Sequence, residues 1–133
     1  LDWTQLVLAL EHTDDGQYGV DPETGAVRFF DTHELESDDP DELWELDRYL
    51  MVEPVPRWQV DAWWEEFLDG LAPGTRAALP ADPAAARRAL RQAPELRSAW
   101  RAYRRDRVRR WAERWVAEQG LAPDNAPPWR GEG

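Results

Sequence analysis

The chain contains no cysteine and no lysine, a single methionine, two histidines and two serines. Without cysteine there are no disulfides, thiol nucleophiles or thiolate metal sites; this fits a reducing compartment, and the expected location is cytoplasmic. No run of about 18 apolar residues occurs, so no spanning helix and no membrane partner is expected. No signal-peptide pattern is visible, although the chain opens on Leu1 rather than Met, as it would if an upstream piece had been trimmed. The eight glycines are scattered at turns, and no glycine-rich phosphate loop is formed. Ser37 and Ser98 lie outside any Gly-x-Ser-x-Gly context, and His12 and His33 fall at a helix end and in an acidic loop. A hydrolase triad has nothing to build on.

What is present is tryptophan, arginine and acid. Nine tryptophans and 42% hydrophobic residues exceed what a disordered chain carries, and 133 residues suffice for one domain with a real core. The expected single globular domain covers residues 1–121. Residues 122–133 form a Pro/Gly-rich tail, expected to be flexible unless Trp129 docks. The net charge of −11 argues against indiscriminate binding to nucleic acid or anionic membrane. Its distribution is uneven: residues 1–82 carry −17 and residues 83–133 carry +6, and every base is arginine.

The patterning predicts an α+β chain: an N-terminal helix, a small antiparallel sheet of about three strands, and C-terminal helices ending in one long Arg/Trp-rich helix. Trp3, Leu6, Val7 and Leu10 mark a helix over residues 2–12, capped by Asp2. Gln17–Val20 and Ala26–Phe30 make a hairpin around Asp21-Pro22-Glu23-Thr24-Gly25, with Val27 and Phe29 on its core face. Residues 31–47 hold nine acids, with a short helix expected over 40–46 behind Asp39-Pro40. Residues 48–53 are a third strand, whose neighbour the sequence does not specify. Val60, Trp63, Trp64, Phe67, Leu68 and Leu71 give the clearest amphipathic helix, over 57–70. A helix from Asp82-Pro83 to about Gln92 follows, and then the long helix from Glu95 to Gln119, with Pro94 before it and Gly120 as a left-handed stop.

The ordered set of pieces resembles a known family. Leu1-Asp2-Trp3, Asp21-Pro22-Glu23-Thr24-Gly25-Ala26-Val27, Asp47-Arg48-Tyr49-Leu50, Trp63/Trp64-Glu65-Glu66-Phe67, Pro94-Glu95-Leu96, Trp100, Tyr103-Arg104, Arg107 and Trp115 come in a fixed order. Together they resemble the bacterial uncharacterised protein family 0158 of the UPF series over nearly the whole chain to about Leu121. The resemblance implies no activity, since none is established for that family. One segment departs: the family's Gly-Ala-Phe-Arg-x-Phe-Lys-like stretch is here Ala81-Asp82-Pro83-Ala84-Ala85-Ala86-Arg87-Arg88, without either aromatic. Any function resting on those aromatics is in doubt for this chain.

Asp31-x-His33-Glu34 and Asp38-Asp39-x-Asp41-Glu42 offer hard ligands, but the second lacks the spacing and glycine of an EF-hand, and an acidic loop is ordinarily a solvated surface. No metal and no cofactor is expected. The long helix is the strongest candidate surface. At about 100° per residue, Leu96, Trp100 and Tyr103 form one apolar stripe, and Val108, Trp111, Ala112 and Trp115 another, displaced by about a quarter turn. Arg107 and Arg114 continue the first stripe and are expected to turn inward to acidic partners. Arg101, Arg105 and Arg109 lie opposite, spaced by four, and are expected outward. The leading expectation is a small non-catalytic interaction or regulatory module whose partner is another protein. A nucleic-acid-associated regulator using the outward arginines is the alternative. An enzyme with a site not recognisable in the sequence ranks last. Intramolecular neutralisation of the basic helix by the acidic half is expected, and raised salt should then loosen those pairs.

Overall fold

A computed structural model of the protein describes residues 1–132. It is α+β: seven α-helices and one three-stranded antiparallel sheet among the described residues, with a helix at the N-terminus and the long helix near the C-terminus. The chain groups into two compact units, Leu1–Pro54 with Val108–Gly133, and Val55–Arg107.

The first unit is built on the sheet. Helix α1 (Trp3–Leu10) is capped by Asp2, whose carboxylate accepts the Gln5 N–H, and buries Trp3, Leu6, Ala9 and Leu10. Strands β1 (Gln17–Val20) and β2 (Val27–Phe30) form the hairpin, with Tyr18 opposite Phe29 and Val20 opposite Val27. Its turn works as the residues dictate. Asp21 Oδ1 accepts the N–H groups of Glu23 and Thr24, and Gly25 takes φ +75°, where a Cβ would fall 2.6 Å from the Leu1 backbone. Strand β3 (Leu50–Val52) pairs with β1, so the order is β2-β1-β3 and β1 is central.

The placement of α1 corrects the expected core. Phe29 is 41% exposed because α1 lies over β1 and β3 rather than β2; the core under α1 is taken by Val20 on the central strand and Val52 on β3. Phe30 is the buried aromatic instead, on the opposite face. There Gly19 has no side chain, and a Cβ on it would meet Tyr49 Cβ at 2.9 Å and the Phe30 ring at 3.2 Å. Phe30 and Tyr49 meet edge to face in the room that glycine leaves.

Two helices follow the hairpin. Helix α2 (Thr32–Leu35), not anticipated from sequence, begins in a full capping box between Asp31 and Glu34. Helix α3 (Pro40–Arg48) starts at Asp39 with Pro40 in its first turn, as expected.

The second unit is helical. Helix α4 (Arg57–Asp69) buries Trp63, Trp64, Phe67 and Leu68. Short α5 (Pro73–Ala77) and α6 (Pro83–Ala89) follow, the latter capped by Asp82 and continued by a 3-10 turn over Leu90–Gln92. Trp64 ties this unit together: its ring meets Phe67 and Trp100, and its Nε1–H donates to the Pro83 carbonyl at 2.8 Å.

Helix α7 (Pro94–Glu118) runs through both units. Residues up to Arg107 belong to the second unit, where Trp100 is buried; from Val108 they belong to the first, where Val108, Ala112 and Val116 are buried. The helix ends in a Schellman motif: Gly120 at φ +73° donates to Ala117 O, and Leu121 N–H donates to Val116 O. The segment beyond docks on the first unit. Asn125 Nδ2 donates to Leu1 O at 2.7 Å, Trp3 Nε1–H donates to Asn125 O, Pro127 is buried, and Trp129 meets Trp3 edge to face at 5.6 Å. The docking of Trp129 is the condition under which residues 122–133 were not expected to be flexible.

Candidate interaction surfaces

The arginines of α7 divide between the units. In the second, Arg101 and Arg105 are exposed, as expected, and no ion pair joins either to a carboxylate among the described residues. Arg109 belongs to the first unit, is half-buried, and lies over the Trp129 ring at 5.3 Å. The outward row of three is therefore not one surface within one unit.

The inward pair divides too. Arg107 is two-thirds buried and meets an acidic partner: its Nη2 donates to the Tyr103 hydroxyl at 2.9 Å and lies 3.8 Å from Glu66, to which Tyr103 also donates. The phenol bond, reinforced by Glu66, raises the Arg107 pKa above its ordinary value. Arg114 is a correction. It is exposed and lies over the neighbouring Trp111 ring at 5.1 Å. Past Val108 the buried stripe has moved to Val108, Ala112 and Val116, and Arg114 no longer continues it.

By unit, the charge contrast is sharper in sign than in size. The first unit holds 20 acids and 6 bases, the second 7 acids and 10 bases, giving −14 and +3. Two places stand out: one acidic, in the first unit, and one basic, in the second.

The acidic place is α3. This nine-residue helix buries none of its residues, and it leaves Leu43 43% and Trp44 63% exposed among Asp39, Asp41, Glu42, Glu45 and Asp47. Leu43, Trp44 and Leu46 make up its apolar side, and none of them is buried. Polar links hold the helix instead. Arg28, lying over the Phe30 ring at 4.6 Å, pairs with Glu34 at 2.9 Å and Glu45 at 3.6 Å. Arg48 pairs with Glu45 and with Asp21, and stacks on Trp44. Asp21 is the pivot of this arrangement. The Glu23 amide above all, then the Thr24 amide and hydroxyl and the Arg48 guanidinium, hold its carboxyl below the usual range against the opposing effect of burial.

The basic place surrounds Asp61 on α4. Asp61 receives Arg57 at 4.0 Å and Arg87 at 3.4 Å, and Arg87 lies over the Trp100 ring at 5.6 Å. Its members come from three helices, and no local spacing in the sequence marks them.

His12 Nε2 contacts the Asp15 carbonyl, and its ring packs against Tyr18 and Phe29. Two shallow clefts of the first unit, one at the 21–25 turn and residues 121–125, the other beside α3, contain no histidine or serine. Among the described residues no group of three or more His, Asp or Glu side chains is placed to hold a metal ion. No helix among them is long and apolar enough to cross a membrane. No family model, curated protein or solved structure matches the chain.

Proposed function

We propose that the protein is a non-catalytic interaction module, acting in the cytoplasm, that docks a basic, apolar-faced segment of another protein on α3. The observation carrying this reading is that α3 buries nothing while offering Leu43 and Trp44 inside a ring of carboxylates. Leu43 and Trp44 are neighbours on a helix fastened by Arg28 and Arg48 rather than by packing, and they offer an adjoining apolar pair for contact. The carboxylates define its chemistry: a segment bearing arginine or lysine beside leucine-like side chains is steered and held, and an acidic one is repelled. The resemblance to uncharacterised family 0158 belongs to the same proposal and adds no activity to it.

A synthetic amphipathic helix with arginine on one face and leucine on the other is the probe. Binding is followed by the fluorescence anisotropy of a dye on that peptide, which reads the parent and variants lacking Trp44 alike. Saturable binding that weakens with salt is expected, and Leu43→Ala/Trp44→Ala should weaken it about 30-fold, the size of a central aromatic contact. Equal binding by the double variant sinks the proposal.

The exposed Arg101 and Arg105 support a second reading, a nucleic-acid-associated regulator. Its mark is binding to random duplex or single-stranded DNA that falls steeply between two salt concentrations and is lost in an Arg101→Glu/Arg105→Glu variant. Without salt-dependent binding this reading ends.

A further inference from the structure

We infer that Arg57 and Arg87, which share Asp61, form with Arg104 a binding site for a phosphate monoester dianion. Three helices of the second unit supply it. Asp61 is shared between Arg57, one turn before it on α4, and Arg87 on α6. Arg87 lies against the Trp100 ring, and Arg104, one turn after Trp100 on α7, is near enough for its charge to act on Arg87. Arg104 is half-buried; its Nε is shut off from solvent and has no hydrogen-bond partner, and no ion pair neutralises its charge among the described residues.

Arg57 and Arg87 share one carboxylate and Arg104 has none, leaving two positive charges uncompensated. A monoester phosphate carries about −1.5 to −2 at neutral pH and matches that surplus; a carboxylate or a diester brings half as much. Guanidinium forks also fit phosphate oxygens two at a time. The surroundings reinforce the sign. Arg97, Arg101, Arg104 and Arg105 fall within an arc of about 100° on α7, while Glu95 and Asp106 fall on its far side. Glu65, exposed one turn beyond Asp61, is the nearest further acid along α4. The strain of like charge registers on Arg87, whose pKa is pulled below its ordinary value by desolvation first and by the Arg104 charge next, with Asp61 opposing.

The phosphoryl group could be borne by a phosphorylated side chain or a small metabolite, and the test separates these sources. Inorganic phosphate, a phosphoserine peptide, its unphosphorylated form and a short oligothymidine are titrated into the full chain by calorimetry. Saturable binding of phosphate and phosphopeptide, with Kd on the order of 1 mM or tighter, is expected. A phosphopeptide binding at least tenfold tighter than inorganic phosphate assigns the site to modified protein, and equal affinities assign it to free phosphates. Arg87→Gln/Arg104→Gln should weaken binding at least tenfold with the helical circular dichroism and melting temperature retained; Asp61→Asn, which removes the competing carboxylate, should tighten it several-fold. Raising pH from 5.5 to 7.5 should tighten phosphopeptide binding about fourfold as the second phosphate proton leaves. Absence of saturation, equal binding by the double variant, affinity flat across that pH range, or oligothymidine binding more tightly than the phosphopeptide would each overturn the inference. Because the probe of the α3 proposal is a basic peptide and this one is an anion, either can fail without the other.

Discussion

Replacing Trp64 with phenylalanine should cost the second unit about 3 kcal/mol. Trp64 is only 3% exposed and touches three elements: Phe67 within α4, Trp100 on α7, and the Pro83 carbonyl at the start of α6. Phenylalanine keeps a ring in place but removes the donor and shortens the side chain. Leaving the Pro83 carbonyl without its partner costs about 1–3 kcal/mol. The smaller ring leaves a void of roughly 40 Å³, worth about 1 kcal/mol at 24 cal/mol per Å³. A unit of about 50 residues has a total stability of roughly 3–8 kcal/mol at typical densities, so this loss should leave its helices marginal. Urea unfolding followed by far-ultraviolet circular dichroism measures it. A naphthylalanine at position 64, the same shape without the N–H, isolates the hydrogen bond and should lose about half the total. Trp58→Phe, at a site 67% exposed, is the control and should change nothing measurable. If Trp64→Phe lies within 0.5 kcal/mol of the parent, or if naphthylalanine is neutral, Trp64 does not join the three helices as argued.

Other perturbations have equally definite signs. Asp21 has a folded-state pKa below its unfolded value, so its contribution is complete above about pH 5 and is lost as pH falls through the folded value; Asp21→Asn, which keeps an acceptor for the turn, should lessen the fall in melting temperature between pH 6 and pH 3. Gly120→Ala meets no neighbour and should cost only the left-handed backbone, about 1 kcal/mol, whereas Gly16→Ala adds a Cβ 2.8 Å from the Phe30 carbonyl oxygen and should shift the urea midpoint at least twice as far. Trp129→Ala removes the edge contact to Trp3 and the Arg109 stack, about 1–2 kcal/mol together, and amide exchange over residues 122–130 should accelerate while that of α1 stays slow. Raising sodium chloride from 0.02 to 0.5 M should raise the melting temperature of the first unit; a fall would mean that its ion pairs outweigh its self-repulsion.

Much of the architecture was legible because it rests on local chemistry. Asp2, Asp39 and Asp82 cap the helices they precede, Gly25 and Gly120 take positive φ where the turn and the helix stop require it, and Trp63, Trp64, Phe67 and Leu68 are buried as their spacing predicts. What failed depended on who sits next to whom. The alternation in β2 places Val27 and Phe29 on the face shared with Val20, yet only the placement of α1 over β1 and β3 shows that Phe29 is left outside the core. Phe30 is buried because Gly19, eleven residues away, leaves room above the central strand. The quarter-turn displacement between the stripes of α7 was visible, but its meaning was not. A single stripe would serve one packing surface, and this helix buries Trp100 in one unit and Val108, Ala112 and Val116 in the other.

The arginines show the same limit and alter the electrostatic argument. From charge totals alone, the basic helix was expected to be neutralised by the acidic half and to loosen in salt. Arg107 follows that logic through Glu66, but Arg114 stacks on Trp111, and Arg101 and Arg105 stand exposed. The acids of the first unit cannot be answered from within it, since six guanidiniums face 20 carboxylates. Exposed pairs such as Arg28–Glu34 contribute little individually, about 0–1 kcal/mol, while the surplus of like charge acts over a Debye length of about 10 Å at 0.1 M salt. Screening should therefore relieve more repulsion than it weakens attraction in this unit. The same surplus explains why α3 can keep Trp44 in water: the carboxylates around it hold like-charged copies of the chain apart.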